Sequence, residues 1–158
     1  NMNNNKDTIN YRILTWNKIQ FLKEAIDENP FKTKYFGWLD IGLCGSVSKP
    51  YHFNRVCQNI NTKVKFAAFG NLFFYGVENK DFYKSQKQIL VSSFFSGNKE
   101  YMLKFIEAFE KELSYVTTEL KLVPLEETIM VKVIYYNKNI FNCVFSPDHG
   151  GVLYRWCN

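Results

Sequence analysis

The sequence predicts a single α/β domain. Two observations carry this prediction. Short apolar and aromatic runs of strand length alternate with segments whose apolar residues recur at helical spacing. Neither an internal repeat nor an inter-domain linker divides the chain. At 158 residues the chain has the length of about one domain, enough to bury a hydrophobic core without staples.

The elements follow in order. Residues 1–10 begin with an Asn-rich stretch and are expected to be flexible; 11–158 form the domain. Trp16, Ile19, Leu22, Ala25 and Ile26 recur at helical spacing, with Thr15 as the expected N-cap and Asn29-Pro30 as the stop. The aromatic run 35–41 reads as a buried strand, and a loop with Gly45, Ser46, Ser48 and Pro50 follows it. Residues 63–69 alternate like a strand, Gly70-Asn71 reads as a turn, and 72–77 as another strand. Residues 89–95 are a further strand, ending in the small-residue turn Ser96-Gly97-Asn98. Met102, Phe105, Ile106, Phe109, Leu113 and Val116 then mark one face of a long helix. Pro124 is expected as the first residue of a last helix, with Glu126 and Glu127 in its first turn and Ile129, Val133 and Ile134 facing inward. Residues 140–145 are the last strand, and 146–151 a loop.

Composition narrows the function classes. Hydrophobic residues at 46% and charged residues at 22% exclude a disordered tail or a collagen-like rod. Aromatics reach 18%, so many of them must pack inside. The net charge of +5 is modest and scattered; its densest tract, Lys80, Lys84 and Lys87, is interrupted by Asp81 and Tyr83 and reads as a solvated face. No apolar stretch approaches the roughly 18 residues of a membrane span, and no signal peptide is visible. Cys44, Cys57, Cys143 and Cys157 form no C-x-x-C pair, and Cys44, His52 and Cys57 match no standard zinc spacing. Free thiols in a cytoplasmic protein are expected.

Four places can carry chemistry. Asp40 closes an apolar strand, where α/β folds place ligands, and its carboxylate suits a hard divalent cation; a turn Asp that bonds nearby amides is the plainer reading. Asp148-His149-Gly150-Gly151 joins two metal-ligating side chains to glycines that admit close backbone approach, or is a surface turn. Glu126-Glu127 can supply a base or bond a sugar hydroxyl, or simply suit a helix N-terminus. Ser96-Gly97-Asn98 can present N–H groups to an anion or a hydroxyl-rich ligand, or cap a helix. P-loop, dinucleotide-fold, zincin and α/β-hydrolase motifs are absent from the sequence.

In order along the chain stand Leu14-Thr15-Trp16-Asn17-Lys18, Phe21-Leu22-Lys23-Glu24-Ala25, Asn29-Pro30-Phe31-Lys32-Thr33 and Tyr35-Phe36-Gly37-Trp38-Leu39-Asp40-Ile41-Gly42. This series resembles the HtrL/YibB-type family of glycosyltransferase-like bacterial proteins, with its Trp-hydrophobic-Asp-x-Gly segment after an Asn-Pro-Phe turn. Phe94 to Glu100, Leu125 to Ile129 and Pro147-Asp148-His149-Gly150 resemble further family segments in the same order. The resemblance runs from about Tyr11 onward. It implies a GT-A-like fold, a mixed sheet flanked by helices, lacking part of the N-terminal nucleotide-binding half, so that the chain would be a fragment or a shortened enzyme. It implies a nucleotide-sugar donor such as a UDP-sugar, a glycan or surface-polysaccharide acceptor, and Mn²⁺ or Mg²⁺. On that basis Asp40, with Asp148 or His149, would hold the metal or diphosphate. Trp38 would line the donor pocket, Ser96, Gly97 and Asn98 would shape the sugar site, and Glu127 with Glu126 would stand at the reacting sugar. Gly42 occupies the place of the second acid of a D-x-D motif, and Glu126 that of an Asp.

The expected activity is therefore metal-assisted sugar transfer in the cytoplasm, with membrane contact at most peripheral. The alternative is a truncated, non-catalytic domain acting as a binding or scaffold module. Nucleic-acid binding ranks below both, because the basic residues form no stripe and no recognition signature is present. Oligomeric state is not readable from the sequence.

Overall fold

The computed structural model describes residues 8–40, 62–69, 76–84 and 89–145. Helix α1 spans Ile9–Glu28. Its N-cap is Thr8, whose hydroxyl oxygen accepts the Tyr11 N–H at 3.2 Å, and not Thr15. Thr15 lies buried inside the helix and donates to the Arg12 carbonyl at 2.9 Å. The first turns escape the sequence pattern because Ile9, Ile13 and Leu14 are exposed; the buried stripe of Thr15, Ile19, Leu22 and Ile26 begins only at Thr15. Residues 9 and 10, expected to be flexible, are thus helical. Asn29 ends α1 in the left-handed region, at φ 35°. Its side-chain amide brackets Thr33, accepting the N–H at 2.9 Å and donating to the carbonyl at 3.1 Å. That bracket turns the chain into β1 (Tyr35–Leu39).

Strands β2 (Val64–Ala68), β3 (Leu90–Asn98) and β4 (Phe141–Phe145) complete an open, mixed sheet in the order β1-β3-β2-β4. β3 runs antiparallel to β1, from Tyr35 opposite Asn98 to Leu39 opposite Phe94. β2 is antiparallel to β3 and parallel to β4. Ser96 and Gly97, expected to be a turn, are strand residues. They pair with Gly37 and Phe36, so the sheet continues until Asn98 hands the chain directly to a helix. The β2–β3 register breaks: Phe66 faces Phe95, but the next residue, Ala67, faces Val91. The intervening segment, Ser92 to Phe94, bulges from β2. Bulges of this kind re-aim side chains and often border functional sites.

Helix α2 (Lys99–Ser114) is capped by Asn98, whose side chain accepts the Tyr101 N–H at 2.9 Å. It runs into a π-helical turn, Tyr115–Glu119, where Thr117 and Thr118 donate back to the Leu113 and Ser114 carbonyls. Helix α3 is Glu126–Tyr136. It starts two residues beyond Pro124, whose carbonyl instead accepts the Trp16 indole N–H at 3.1 Å. A 3-10 turn, Lys138–Ile140, leads into β4. Of the strand expected over 72–77, residues 72–75 lie outside the described residues. Gly76 and Val77 are not strand, and Gly76 has φ 65°. The 45–50 loop, the Gly70-Asn71 turn and the 146–151 loop also lie outside the described residues, as do Cys44, His52, Cys57, Lys87 and Cys157. Cys143 is a free, exposed thiol.

The three helices share one core with one face of the sheet. Val64, Phe66, Phe95 and Phe141 on the sheet meet Ile19 and Ile26 of α1, Phe105 and Phe109 of α2, and Ile129 and Val133 of α3. On the opposite face, Ala67 and Val91 form a small separate cluster. Phe105 is the centre of the main core. Its ring meets Phe66, Phe95 and Phe141 nearly edge-on, at 5.5, 5.6 and 5.6 Å, geometries that add to area burial. α3 is buried on nearly all sides. Even Lys132 is enclosed there; it donates to the Asn79 carbonyl and lies 4.9 Å above the Tyr83 ring. Among the described residues no helix is long and apolar enough to cross a membrane.

Truncating Phe105 to Ala should destabilise the domain by about 3–5 kcal/mol, because the surrounding rings are locked by one another and cannot collapse into the void. Chemical denaturation reads this as a lower midpoint. A loss below about 1 kcal/mol would mean that the core is not closed around this ring.

Candidate functional site

Period-two alternation places Trp38 and Asp40 on the same side of β1, the side that carries the helices. Asp40 extends the β1–β3 ladder by one step, its N–H donating to the Ser93 carbonyl at 2.8 Å. The indole N–H of Trp38 donates to Asp40 Oδ1 at 2.5 Å. The other carboxylate oxygen, Oδ2, lies 3.0 Å from the ammonium of Lys18 on α1. The same ammonium lies 3.2 Å from Glu126 Oε1, at the start of α3. Lys18 thus joins three elements distant in sequence.

Its placement follows from α1. Tyr11, Thr15 and Lys18 recur at helical spacing on one face. Arg12 and Trp16, one turn apart, donate to the carbonyls of Val123 and Pro124. These two bonds pin the segment before α3 and so set Glu126 opposite Lys18. Burial works to lower the Lys18 pKa; the carboxylates of Glu126 and Asp40 prevail and raise it. The Tyr11 phenol is raised by burial and then by Glu126, which puts it within the field of the same cluster.

Ser92, in the bulge of β3, completes the site. Its hydroxyl lies 3.1 Å from Glu126 Oε1 and 3.0 Å from Glu127 Oε1. A hydroxyl has one proton and cannot donate to two ionised carboxylates at once. Both contacts are hydrogen bonds only when one carboxyl is protonated and donates to Ser92. The pKa of Glu127 is pushed up to about 7, first by burial and then by Glu126. Glu127 therefore carries the extra proton, while Glu126 is paired with Lys18. Two neighbouring glutamates have opposite environments, an arrangement that suits proton transfer near neutral pH.

Of the residues expected at a site, the structure brings together Trp38, Asp40, Glu126 and Glu127. It does not bring Ser96, Gly97 and Asn98 to them. Gly97 and Asn98 pair with Phe36 and Tyr35 at the start of β1, and Ser96 pairs with Gly37, where alternation turns it to the other face of the sheet from Trp38. Asn98 caps α2. Gly97 is where β2 comes closest, and a Cβ there would lie 3.1 Å from the Val64 Cα. Asp148 and His149 lie outside the described residues. Among the described residues no group of three His, Cys, Asp or Glu side chains is placed to hold a metal ion. The metal set expected around Asp40 includes Asp148 and His149, which are not among the described residues; both Asp40 oxygens are met by hydrogen-bond donors, one of them the Lys18 ammonium. Sequence reasoning missed Lys18, Ser92 and Tyr11. Lys18 had a local signal, a lysine in register with the buried positions Thr15 and Leu22. Ser92 had another, a pair of adjacent serines inside an apolar strand.

The Glu127 carboxyl holds its proton to about pH 7 in the fold, against 4.5 as its ordinary value. Between these values the folded chain binds more protons than the unfolded one, so stability falls as pH rises through the window. Glu127→Gln removes that titration. Between about pH 5 and about pH 8 the variant should lose less stability than the wild type, the difference being about 3 kcal/mol at most. Urea midpoints at the two pH values measure it, and parallel losses would refute the protonated carboxyl.

Against known proteins, neither the curated proteins nor the solved structures give a significant match to the chain. One family model does match, over residues 1–152, and it is described as a bacterial protein of unknown function, HtrL_YibB. With nearly its whole length covered, including all four elements that build the Lys18 cluster, the chain belongs to the HtrL_YibB family.

Proposed function

We propose that this domain transfers a sugar from a nucleotide-sugar donor to a carbohydrate acceptor, with Glu127 as the base that takes the acceptor's proton. The observation that carries the reading is the meeting of Asp40 and Glu126 at one ammonium, with Glu127 joined to Glu126 through Ser92 and poised near pH 7. In the reaction the acceptor oxygen forms a bond to the anomeric carbon. The bond from that carbon to the diphosphate oxygen breaks, and the electron pair leaves with the diphosphate. The acceptor's hydroxyl proton passes to Glu127, and a base of this pKa is matched to the task at neutral pH. Glu126 and Asp40 lie where they can stabilise positive charge developing on the sugar ring. Trp38, half-buried and tied to Asp40, offers an aromatic wall to the donor.

A second reading is supported by a different observation. Lys18 already neutralises Asp40 and Glu126 within the fold. A site so satisfied suits a binding or scaffold module that holds a hydroxyl-rich ligand without turning it over.

Titration with UDP, with and without Mn²⁺, and UDP release from a panel of UDP-sugars separate the two. Under the transferase reading the chain binds UDP and releases it from a UDP-sugar. Glu127→Gln should keep UDP binding and lose about 10²–10⁴-fold in turnover. Binding without release from any donor in the panel would favour the module. Full turnover by Glu127→Gln would remove Glu127 from the role of base.

A further inference from the structure

The space between Asp40 and Glu126 is where a carboxylate-bound divalent cation would lie if Asp40 were a metal ligand. It is filled from within. The Lys18 ammonium stands 3.0 Å from one carboxylate and 3.2 Å from the other. It is largely enclosed there, its side chain 11% exposed and that of Glu126 6%. The remaining contacts of the pair are also with hydrogen-bond donors: the Trp38 indole on Asp40 Oδ1 and the Ser92 hydroxyl on Glu126 Oε1. Of these groups only the Ser92 hydroxyl oxygen has a lone pair to offer a metal; the indole N–H and the ammonium have none. An ion entering the gap would meet the ammonium at close range, in surroundings that screen like charges poorly.

We propose that Lys18 is the resident cation of this site, occupying the position between Asp40 and Glu126 that a divalent metal would otherwise take. The carboxylates are thereby neutralised without a metal. The charge also comes on an arm of α1, so the site cannot be emptied by chelation. Removing the arm while keeping its bulk would unmask Asp40 and Glu126 as two hard oxygen ligands facing one gap. The inference goes beyond sugar transfer, because it concerns which cation the carboxylates hold, whatever ligand they serve.

The test uses the full chain and Mn²⁺ alone, with no nucleotide. Bound Mn²⁺ is counted by electron paramagnetic resonance, and Tm is read for the wild type, Asp40→Asn, Lys18→Met and Lys18→Arg. Comparison with Asp40→Asn isolates this gap from any metal bound elsewhere on the chain. In the wild type and in Lys18→Arg, Mn²⁺ should leave Tm unchanged, with no binding that depends on Asp40. In Lys18→Met, near-saturating Mn²⁺ should raise Tm by about 5 °C. Asp40-dependent Mn²⁺ binding by the wild type would overturn the proposal. So would a folded Lys18→Met that binds no Mn²⁺. If Lys18→Met does not fold even with Mn²⁺, the wild-type and Lys18→Arg titrations decide on the same criterion. Failure here leaves UDP release untouched, so it is distinguishable from failure of the transferase reading.

Discussion

The ammonium of Lys18 between Asp40 and Glu126 is the interaction on which the arrangement of the site depends. It connects α1, the end of β1 and the start of α3, elements separated by 22 and 108 residues of sequence. Burying three charges is costly, and the mutual attraction of a buried pair offsets that cost only when the geometry is good. Here Trp38 satisfies the second oxygen of Asp40, and Ser92 adds a contact to the Glu126 oxygen that meets Lys18. Such a cluster contributes little net stability over an apolar substitute, but losing one partner leaves charge stranded at a cost of about 3–5 kcal/mol. Its main effect is therefore on specificity: only the docking of α1 that puts Lys18 at this point leaves no stranded charge.

The rest of the fold is arranged to make that docking unique. Arg12 and Trp16 hold the carbonyls of Val123 and Pro124, so the residues leading into α3 cannot slide along α1. The Asn29 bracket fixes the angle at which the chain leaves α1 for β1, and with it the height of Asp40. Beneath these polar ties lies the ring cluster around Phe105, which joins α2 to β2, β3 and β4. Rings packed edge to face resist sliding more than aliphatic side chains do, because each shift breaks a directional contact. The bulge of β3 then becomes a positioning device. By releasing Ser92 from the ladder to β2, it lets a strand residue reach the first turn of α3.

Much of this was legible in the sequence, and the parts that were not have a common cause. Asp40 and the Glu126-Glu127 pair stood out because each marks a local boundary, a strand end and a helix start, and local boundaries leave local patterns. The α2 stripe from Met102 to Val116 was readable for the same reason, since one helix face is buried and the other is not. Ser96-Gly97 was misread as a turn because its small residues answer to the close approach of β1 and β2, a demand made by neighbours in space. The start of α1 was placed late because its first apolar residues are exposed and carry no periodicity of burial. Lys18 and Ser92 acquire meaning only through partners far along the chain. Nothing in a window of ten residues around either one shows that three carboxylates converge on them.

The contrast between Glu126 and Glu127 shows how much such distant partners decide. The two share a residue type, a helix turn and a near-equal distance to the same hydroxyl. They differ in their other contacts: Lys18 reaches Glu126, and the Ser92 backbone bonds Glu127. Burial, and after it the neighbouring Glu126, pushes Glu127 up to about 7, while the Lys18 ammonium works the other way. The lysine thus acts on Glu127 without touching it: its positive charge works against the rise that burial and Glu126 cause. An acid pair at a helix start, which alone would only suit the helix dipole, becomes a pair with divided roles once a lysine from 108 residues away is set against one of its members.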